Sequence, residues 1–364
     1  MLAVACATIG VMLVGSAPAV ALPSWLQTGP GFAVACISEG RCESVGNSFA
    51  GKGTLRAWGW NGGSWRAQAL AEPSDYEPVL RSVACQTASF CMAVGGSATL
   101  SGTPIAERWD GQRWTQLPVP VPPGDVGPRQ TVVLNGVACL SSEWCMAVGS
   151  VDNDNVYRLL AERWDGARWS RLAAPGVGRR CYGYGCGGLP TLNGISCLSH
   201  TDCFAVGSGG GPLIARWNGT RWKRVDAPYP TGAHQGYEFD AIDCASSRRC
   251  EAVGAQYVQS RLLGGHLWLE GDLAEGWDGH RWKLQDAHGP IDHEGELLGV
   301  ACASAVECRA VGFHGRTRAR TRLAGVLLGF DGARWRRVPL HRGVVGWSGI
   351  ACPSTRSCTA VLNR

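Results

Sequence analysis

Three parts of this sequence contain side chains whose types and spacing could bind a ligand or carry out chemistry. The first is segment 179–186, where two arginines precede a short loop that contains two tyrosines and is bounded by cysteines. A disulfide-closed loop with aromatic and guanidinium groups forms a rigid contact surface. We therefore predict a binding surface here, with a stapled loop that has no ligand as the alternative. Its residues are Arg179, Arg180, Tyr182 and Tyr184, and the loop is closed by Cys181 and Cys186.

The second part is an alternating arginine run in segment 316–322. In a β-strand every second side chain points to the same face, so the run would place four guanidinium groups together. Such a face suits sulfate, phosphate or an anionic polysaccharide. The alternative is a solvated edge strand whose charges prevent edge-to-edge pairing. The residues are Arg316, Arg318, Arg320 and Arg322.

The third part is a set of carboxylates, Glu238, Asp240 and Asp243, beside a strand that is otherwise apolar. Paired carboxylates cleave glycosidic bonds, so a glycan-active hydrolase or lyase is one hypothesis. Two further acidic segments, 152–154 and 286–296, lack the full oxygen-ligand spacing of a calcium loop, and we expect no metal site. The chain has neither a Gly-x-Ser-x-Gly elbow nor a zinc-protease His-Glu pattern. We therefore favour a non-catalytic protein without a cofactor.

These segments interrupt a unit that recurs along the whole chain. Seven times the sequence shows Cys, five residues, Cys, and the second Cys begins a short apolar run. Six of the pairs are followed by Trp (once Phe), Asp or Asn, and Gly, and then by a second Trp. A fixed period of this length indicates a repeat architecture. The pairs are Cys36/Cys42, Cys85/Cys91, Cys139/Cys145, Cys197/Cys203, Cys244/Cys250, Cys302/Cys308 and Cys352/Cys358.

Each repeat predicts four strands, which we call A to D. Strand A ends at the first Cys, strand B begins at the second, strand C runs into the Trp-Asp/Asn-Gly turn, and strand D begins at the second Trp. Asp-Gly and Asn-Gly favour tight hairpin turns, and no helical period is sustained. The sequence therefore predicts an all-β fold, a propeller of seven blades with mostly four antiparallel strands and a disulfide in each blade.

The two ends of the chain are expected to close the ring. There are seven A–B hairpins but six C–D hairpins, and the chain stops after a strand B. Segment 24–30 resembles a strand D, so pairing of the two ends would complete a short or irregular seventh blade. The alternative is six blades with an extra hairpin.

The N-terminal segment and the cysteine count indicate export. Residues 2–20 are almost wholly apolar and Ala19-Val20-Ala21 matches a cleavage signal, which predicts a signal peptide at 1–21 and one mature domain at 22–364. Of 17 cysteines, Cys6 lies in that signal and 16 remain, an even number that favours disulfides over zinc. We expect a secreted or cell-envelope protein without a later membrane span; a retained anchor is the alternative.

These motifs resemble a class of exported repeat proteins found in actinobacteria and related bacteria, whose repeats combine Leu-x-Gly-Val-x-Cys, Cys-x-Ala-Val-Gly and Ala-Glu-x-Trp-Asp/Asn-Gly-x-x-Trp. The resemblance covers residues 24–362, with Phe330 in place of the first Trp in the sixth repeat. The turn is more distantly similar to kelch and Asp-box propeller repeats. The resemblance implies a propeller fold and export, and it implies no particular activity.

The loops of variable length indicate where a ligand would bind. The A–B and C–D turns keep a constant length, whereas the B–C and D–A segments, which share the other face of the ring, vary widely. Variable loops on a rigid scaffold are typical of a binding face. We therefore predict a binding protein with a polysaccharide ligand; a protein partner or a passive envelope role are alternatives.

Two observations limit the class of ligand and the residues that could contact it. A net charge of +5 without a basic stripe does not indicate nucleic-acid binding, so we expect no nucleic-acid partner. The recurring Trp residues are expected to pack between blades. Aromatic residues outside the repeat pattern are better candidates for ligand contact: Trp58, Trp144, Trp268, Trp347, Tyr182, Tyr184, Tyr229 and Tyr237.

Overall fold

The computed structural model describes residues 22–48, 53–71, 77–97, 102–121, 130–153, 156–176, 189–209, 211–228, 235–259, 267–287, 295–315, 324–340 and 344–362. The regular secondary structure in these ranges is entirely β-strand. None of the described segments is a helix with the length and hydropathy of a membrane span.

The strands form seven sheets, arranged as the blades of a propeller. The first strand, β1 (Leu26–Pro30), belongs to the seventh blade. Blade 1 contains β2 (Ala33–Ser38), β3 (Arg41–Ser48), β4 (Thr54–Trp60) and β5 (Trp65–Gln68). Blade 2 contains β6 (Pro78–Thr87), β7 (Phe90–Ser97), β8 (Pro104–Trp109) and β9 (Trp114–Leu117). Blade 3 contains β10 (Gln130–Ser141), β11 (Trp144–Asn153), β12 (Val156–Trp164) and β13 (Trp169–Arg171).

The remaining blades follow in chain order. Blade 4 contains β14 (Thr191–Ser199), β15 (Asp202–Ser208), β16 (Pro212–Trp217) and β17 (Trp222–Val225). Blade 5 contains β18 (Gln235–Ser246), β19 (Arg249–Gln259), β20 (Leu267–Trp277) and β21 (Trp282–Leu284). Blade 6 contains β22 (Gly295–Ser304), β23 (Glu307–His314), β24 (Ala324–Phe330) and β25 (Trp335–Arg337). Blade 7 contains β26 (Gly349–Ser354), β27 (Ser357–Leu362) and β1. The predicted seven-bladed fold is confirmed, and the six-bladed alternative is wrong.

The Trp-Asp-Gly motif forms the turn between strands C and D, as blade 3 shows. The Asp165 Oδ1 atom accepts hydrogen bonds from the backbone N–H groups of Ala167 and Arg168, at 3.0 and 2.9 Å. Gly166 has φ of 97°, a conformation that costs glycine little. The preceding Trp164 indole donates to the Ser142 carbonyl at 3.0 Å and so ties this turn to the A–B hairpin.

A disulfide closes the A–B hairpin of every blade. Its two cysteines face each other in the ladder, as Cys139 and Cys145 do, and the Cα–Cα distances lie between 3.9 and 4.1 Å. All seven repeated pairs are therefore confirmed as disulfides. The predicted Cys181–Cys186 bond lies outside the described residues.

The second cysteine of each pair is a core residue. It begins strand B, and in all seven blades it is only 0–2% exposed. The bonded sulfurs therefore brace the hairpins from inside, and these cysteines form no part of a ligand-binding surface. The buried cysteines are Cys42, Cys91, Cys145, Cys203, Cys250, Cys308 and Cys358.

The innermost strand of blades 2–6 contains a β-bulge, which adds one residue opposite strand B. In blade 3, Leu134 pairs with Gly149 and Gly136 pairs with Val148, so Asn135 is the extra residue. A side chain on Gly149 would place its Cβ 1.9 Å from the Val133 carbonyl oxygen. The Gly of the Ala-Val-Gly motif is therefore needed to accommodate the bulge.

In the described part of the chain, blade 7 has three strands instead of four. Strand β1 pairs with β27 in parallel, with Leu26 opposite Cys358 and Pro30 opposite Leu362. In a four-stranded blade, strand D runs parallel to strand B but lies two places away from it. Segment 24–30 was expected to act as a strand D, and β1 has that direction. It lies directly beside strand B because blade 7 has no strand C among the described residues.

The core lies between neighbouring blades, and the second Trp of one blade contacts the blade before it. Trp114 donates from Nε1 to Gln68 Oε1 at 2.7 Å, and Gln68 in turn donates to Glu43 at 2.9 Å. Trp335 makes the equivalent bond to Gln285 at 2.6 Å. In blades 2–6 these paired aromatic rings are 2–7% exposed, so the recurring Trp residues serve inter-blade packing.

Candidate functional site

In blades 2–6 the bulge directs one residue of the inner strand to a channel at the centre of the ring. This channel has a volume of about 350 Å³ and is lined by the inner strands of all seven blades. In blades 1 and 7 the equivalent residues precede strands β2 and β26. We call these seven residues the channel ring: Phe32, Arg81, Asn135, Asn193, Asp240, Leu298 and Ser348. Most of its members are polar, although the strands that carry them are largely apolar.

Blade 5 makes one wall of the channel acidic. Glu238 and Asp240 both line the channel, and Asn193 of blade 4 donates to Glu238 Oε1 at 2.8 Å. Burial raises the pKa of Asp240 well above its ordinary value, and the neighbouring Glu238 and Glu296 carboxylates raise it further. Burial likewise raises the pKa of Glu238. Protonated carboxyls can donate as well as accept hydrogen bonds.

Asp240 has a free hydrogen-bonding atom in this wall. Among the described residues its Oδ2 atom has no hydrogen-bond partner. A buried polar atom without a partner loses its hydration and gains nothing in return, which is unfavourable by roughly 1–3 kcal/mol. A ligand or water in the channel would satisfy it.

Two pairs of ionisable groups lie behind this wall. Tyr257 donates its hydroxyl to Glu296 Oε1 at 3.2 Å, and burial, followed by the charge of Glu238, raises the pKa of Glu296 to about 6. His314 Nε2 and Asp272 Oδ2 lie 2.9 Å apart, and Asp272 is 4% exposed. Blades 5 and 6 thus bring carboxyl, phenol and imidazole groups to the region of Glu238.

Arg81 lies three blades away from Asp240, on the other side of the ring. Its Nε atom has no hydrogen-bond partner in the described part of the chain. Burial lowers the pKa of its guanidinium group. The channel therefore has a cationic wall and an acidic wall, with Asn135 on the arc between them.

Asp243 has a structural role. Its Oδ2 atom accepts from the Cys302 backbone N–H of blade 6 at 2.7 Å, and its Oδ1 atom accepts from Cys244 N–H and from Ser196 of blade 4. It therefore bridges three blades. Of the three carboxylates singled out in the sequence, Glu238 and Asp240 line the channel and Asp243 does not.

The remaining candidate residues from the sequence lie in different parts of the structure or outside its described residues. The predicted binding residues Arg179, Arg180, Tyr182, Tyr184, Arg316, Arg318, Arg320 and Arg322 lie outside the described residues. Trp144 stacks on His200 of the next blade with ring centroids 5.0 Å apart, and Tyr237 is 3% exposed. Trp58 and Trp347 line a second cavity at the junction of blades 7 and 1.

The described ranges contain no group of three or more His, Cys, Asp or Glu arranged to hold a metal ion.

Most residues of the channel ring were not among the candidates recognised in the sequence. The feature that could have identified them is the variable position in Leu-x-Gly-Val-x-Cys, which holds Arg81, Asn135 and Asn193 within a motif that is otherwise constant. Strict alternation assigns this position to one face of strand A. The bulge, which alternation does not show, turns it to the channel instead.

Comparison with solved structures shows the fold. The chain is similar to YCF48 bound to a D1 peptide, with 16% identity over 93% of this chain and 89% of that one and a TM-score of 0.52. It is similar to a polysaccharide lyase of family PL25, an ulvan lyase bound to -[GlcA(1-4)Rha3S]-, with 8% identity, coverage of 90% and 88%, and a TM-score of 0.54. The WD40 repeats of RRP9 match with 12% identity, coverage of 90% and 86%, and a TM-score of 0.52.

At these identities the similarity establishes a β-propeller and no activity. No protein-family model and no curated protein sequence matches this chain. The resemblance to exported repeat proteins of actinobacteria therefore stays a prediction.

Proposed function

We propose that this protein is an exported binding propeller that holds a polar glycan at the mouth of its central channel, on the face of the variable B–C and D–A loops. The observation that supports this most is the convergence of one residue per blade on a single channel, where Arg81 Nε and Asp240 Oδ2 have no hydrogen-bond partner among the described residues. Guanidinium, amide and carboxyl groups are the side chains that hydrogen-bond sugar hydroxyls with defined geometry.

The size of the channel limits which glycans could bind in it. Its volume of about 350 Å³ is at the lower end of the range of ligand pockets, which runs from roughly 300 to 1,000 Å³. A single sugar residue or the end of a chain fits this volume, whereas a continuous polymer needs an open groove. We therefore favour recognition of chain ends or side branches of a cell-envelope or environmental polysaccharide.

Export is part of this proposal. The disulfides in all seven blades are typical of an oxidising compartment. The signal segment 1–21 lies outside the described residues, so its cleavage is tested by N-terminal sequencing of the secreted protein.

A glycan array with the purified protein tests the binding function. The expected result is a hit that Asp240→Asn and Arg81→Gln each weaken about tenfold, because each substitution removes or alters one hydrogen bond to the glycan. Arg356→Gln, an exposed arginine on the β26–β27 turn, serves as the control and should bind like the parent protein. Hits that are unaffected by both channel substitutions, or no hit at all, would contradict the channel as a glycan site.

A second function, glycan cleavage by a hydrolase or lyase, is favoured by one observation. Asp240 lines the channel, and the Glu296 carboxyl lies close enough for its charge to raise the pKa of Asp240; two neighbouring carboxyls can act as acid and base. The test is release of reducing ends or unsaturated sugars from the glycans that bind. Turnover that disappears in Glu296→Gln would support an enzyme, and binding without product would leave the protein a binding module.

A further inference from the structure

A second cavity lies where blade 7 meets blade 1, and we call it the seam groove. It has a volume of about 530 Å³, larger than the channel. Strand β1, the ends of β3 and β27, strands β4 and β5 and segment 344–347 contribute to it. The side chains used below are Thr28, Asn47, Arg56, Trp58, Trp65 and Trp347.

The groove is open because, in the described part of the chain, blade 7 has one strand fewer than the other blades. In blades 2–6, both aromatic rings of the C–D hairpin are covered by the preceding blade and are 2–7% exposed. Their counterparts in blade 1, Trp60 and Trp65, are half-buried because the described part of blade 7 ends at β1. The seam core is correspondingly small, with Val34, Cys42 and Val361 as its buried members.

The indoles that line the groove are partly or largely buried, and Trp65 is held in place by its neighbours. Trp65 lies against the backbone of Gly29, where an added Cβ would be 2.5 Å from its ring, and its Nε1 atom donates to the Thr28 carbonyl at 3.3 Å. Trp347 is 4% exposed and so forms the floor of the groove, whereas Trp58 is half-buried in its wall. Rigid aromatic faces lose little conformational entropy when they bind a ligand.

Trp58 is the clearest departure from the repeat. Its position is held by Glu107, Glu162 and Glu275 in blades 2, 3 and 5, all 0% exposed, and by the buried apolar residues Ala215 and Leu328 in blades 4 and 6. In blade 1 the same position carries an indole that lines the groove. A large aromatic side chain replaces a buried carboxyl only in the blade whose neighbour leaves space beside it.

The charge of the groove is defined by Arg56. It is the only ionisable side chain among the described residues that line the groove, and it is exposed and makes no ion pair with another described residue. Asn47, 8% exposed, lies next to the same opening. An unpaired guanidinium beside aromatic faces fits a carboxylate carried on an apolar ring face.

We propose that the seam groove binds an acidic saccharide, such as a uronic-acid residue, through stacking of the sugar ring on Trp58 and pairing of its carboxylate with Arg56. The site is separate from the central channel, and it requires no residue of the channel ring. The two sites would allow one molecule to engage a polysaccharide at two points.

Binding of trigalacturonate to the purified protein, measured by calorimetry and by quenching of tryptophan fluorescence, tests the proposal. We expect Arg56→Gln to weaken binding about tenfold, Arg56→Lys to restore it in part, and affinity to fall with salt. Arg66→Gln, an exposed arginine on β5 that does not line the groove, should bind like the parent protein. Maltotriose, which is neutral, should bind far more weakly.

A second set of variants distinguishes this site from the channel. Trp58→Ala should abolish binding, and Trp144→Ala, a half-buried tryptophan outside both cavities, should leave it unchanged. Absence of trigalacturonate binding, equal binding of maltotriose, or unaltered binding by Arg56→Gln and Trp58→Ala would each overturn the proposal.

Discussion

Buried carboxyls at the inter-blade surfaces are the most unusual residues in this protein. Glu107, Glu162 and Glu275 are 0% exposed, and their carboxyl oxygens have no hydrogen-bond partner among the described residues. Burial raises the pKa of Glu107 and Glu162 to about 7 and that of Glu275 to about 8. Because the folded state holds protons that the unfolded chain releases, each of these groups links stability to pH.

Substitution of Glu162 should flatten this pH dependence. In the unfolded chain its pKa is 4.5, so between pH 4.5 and about 7 the folded state binds more protons, and the free energy of unfolding falls as pH rises. Well above pH 7 Glu162 is ionised in both states, and the free energy of unfolding falls no further because of this group. We expect Glu162→Gln to be more stable than the parent by roughly 1–3 kcal/mol at pH 8 and to lose that advantage near pH 4.5. Urea unfolding at both pH values measures the difference.

The control for this measurement is Glu143→Gln, an exposed glutamate on the A–B turn of the same blade. It should follow the pH dependence of the parent protein. An equal stability difference for Glu162→Gln at both pH values would mean that Glu162 is ionised in the folded state or that the substitution acts through packing alone.

At the scale of strands, the bulge of the inner strand and the glycine of strand B form one unit. The bulge turns the variable residue toward the channel, and the glycine leaves room for the carbonyl of strand A. The strands themselves could be predicted, because alternation and tight-turn dipeptides mark each of them. The bulge could not, because it depends on pairing between two strands and leaves no periodic signal in either.

Gly149→Ala should therefore destabilise the protein strongly. The added Cβ would lie 1.9 Å from the Val133 carbonyl, so the bulge must shift, and overpacking of this kind costs about 1–3 kcal/mol. Gly176→Ala provides the control, because nothing lies within 4 Å of the position where its Cβ would be. Denaturant unfolding compares the two, and near-equal stability would show that the bulge does not need the glycine.

The candidate site could be predicted only in part, for a related reason. Glu238 and Asp240 were recognisable because carboxylates rarely stand in an apolar strand. Arg81 and Asn193 resembled ordinary variation at a surface position until the bulges brought them into one channel. Trp58 was recognisable as an aromatic residue outside the repeat, but its exposure depends on the three-stranded form of blade 7.

At the scale of the whole ring, the junction of blades 7 and 1 is where the molecule is expected to open. The outer part of blade 7 consists of the five residues of β1, and the seam core is the smallest of the inter-blade cores in the described part of the chain. Local opening follows regions with few buried apolar contacts.

Hydrogen exchange should show this directly. We expect the amides of β1 and β27 to exchange faster than those of β14 and β15, which lie within a fully covered blade. Leu26→Ala, which removes the buried apolar side chain of β1, should accelerate exchange further in blade 7 and leave blade 4 unchanged. Uniform exchange across all seven blades would show that the ring unfolds as one unit.

The pairing of β1 with β27 also concerns the order in which the chain is made. Among the described strands β1 leaves the ribosome first and β27 last, and Leu26 faces Cys358 in the finished sheet. Blades 1 to 6 contain only neighbouring segments of the chain and can form before β27 is available. Blade 7 must wait for β26 and β27, so a product that stops before them would be an open arc with Trp60, Trp65 and an unpaired β1 uncovered. A protease or chaperone that recognises exposed apolar surface would thereby distinguish an incomplete chain from a finished one.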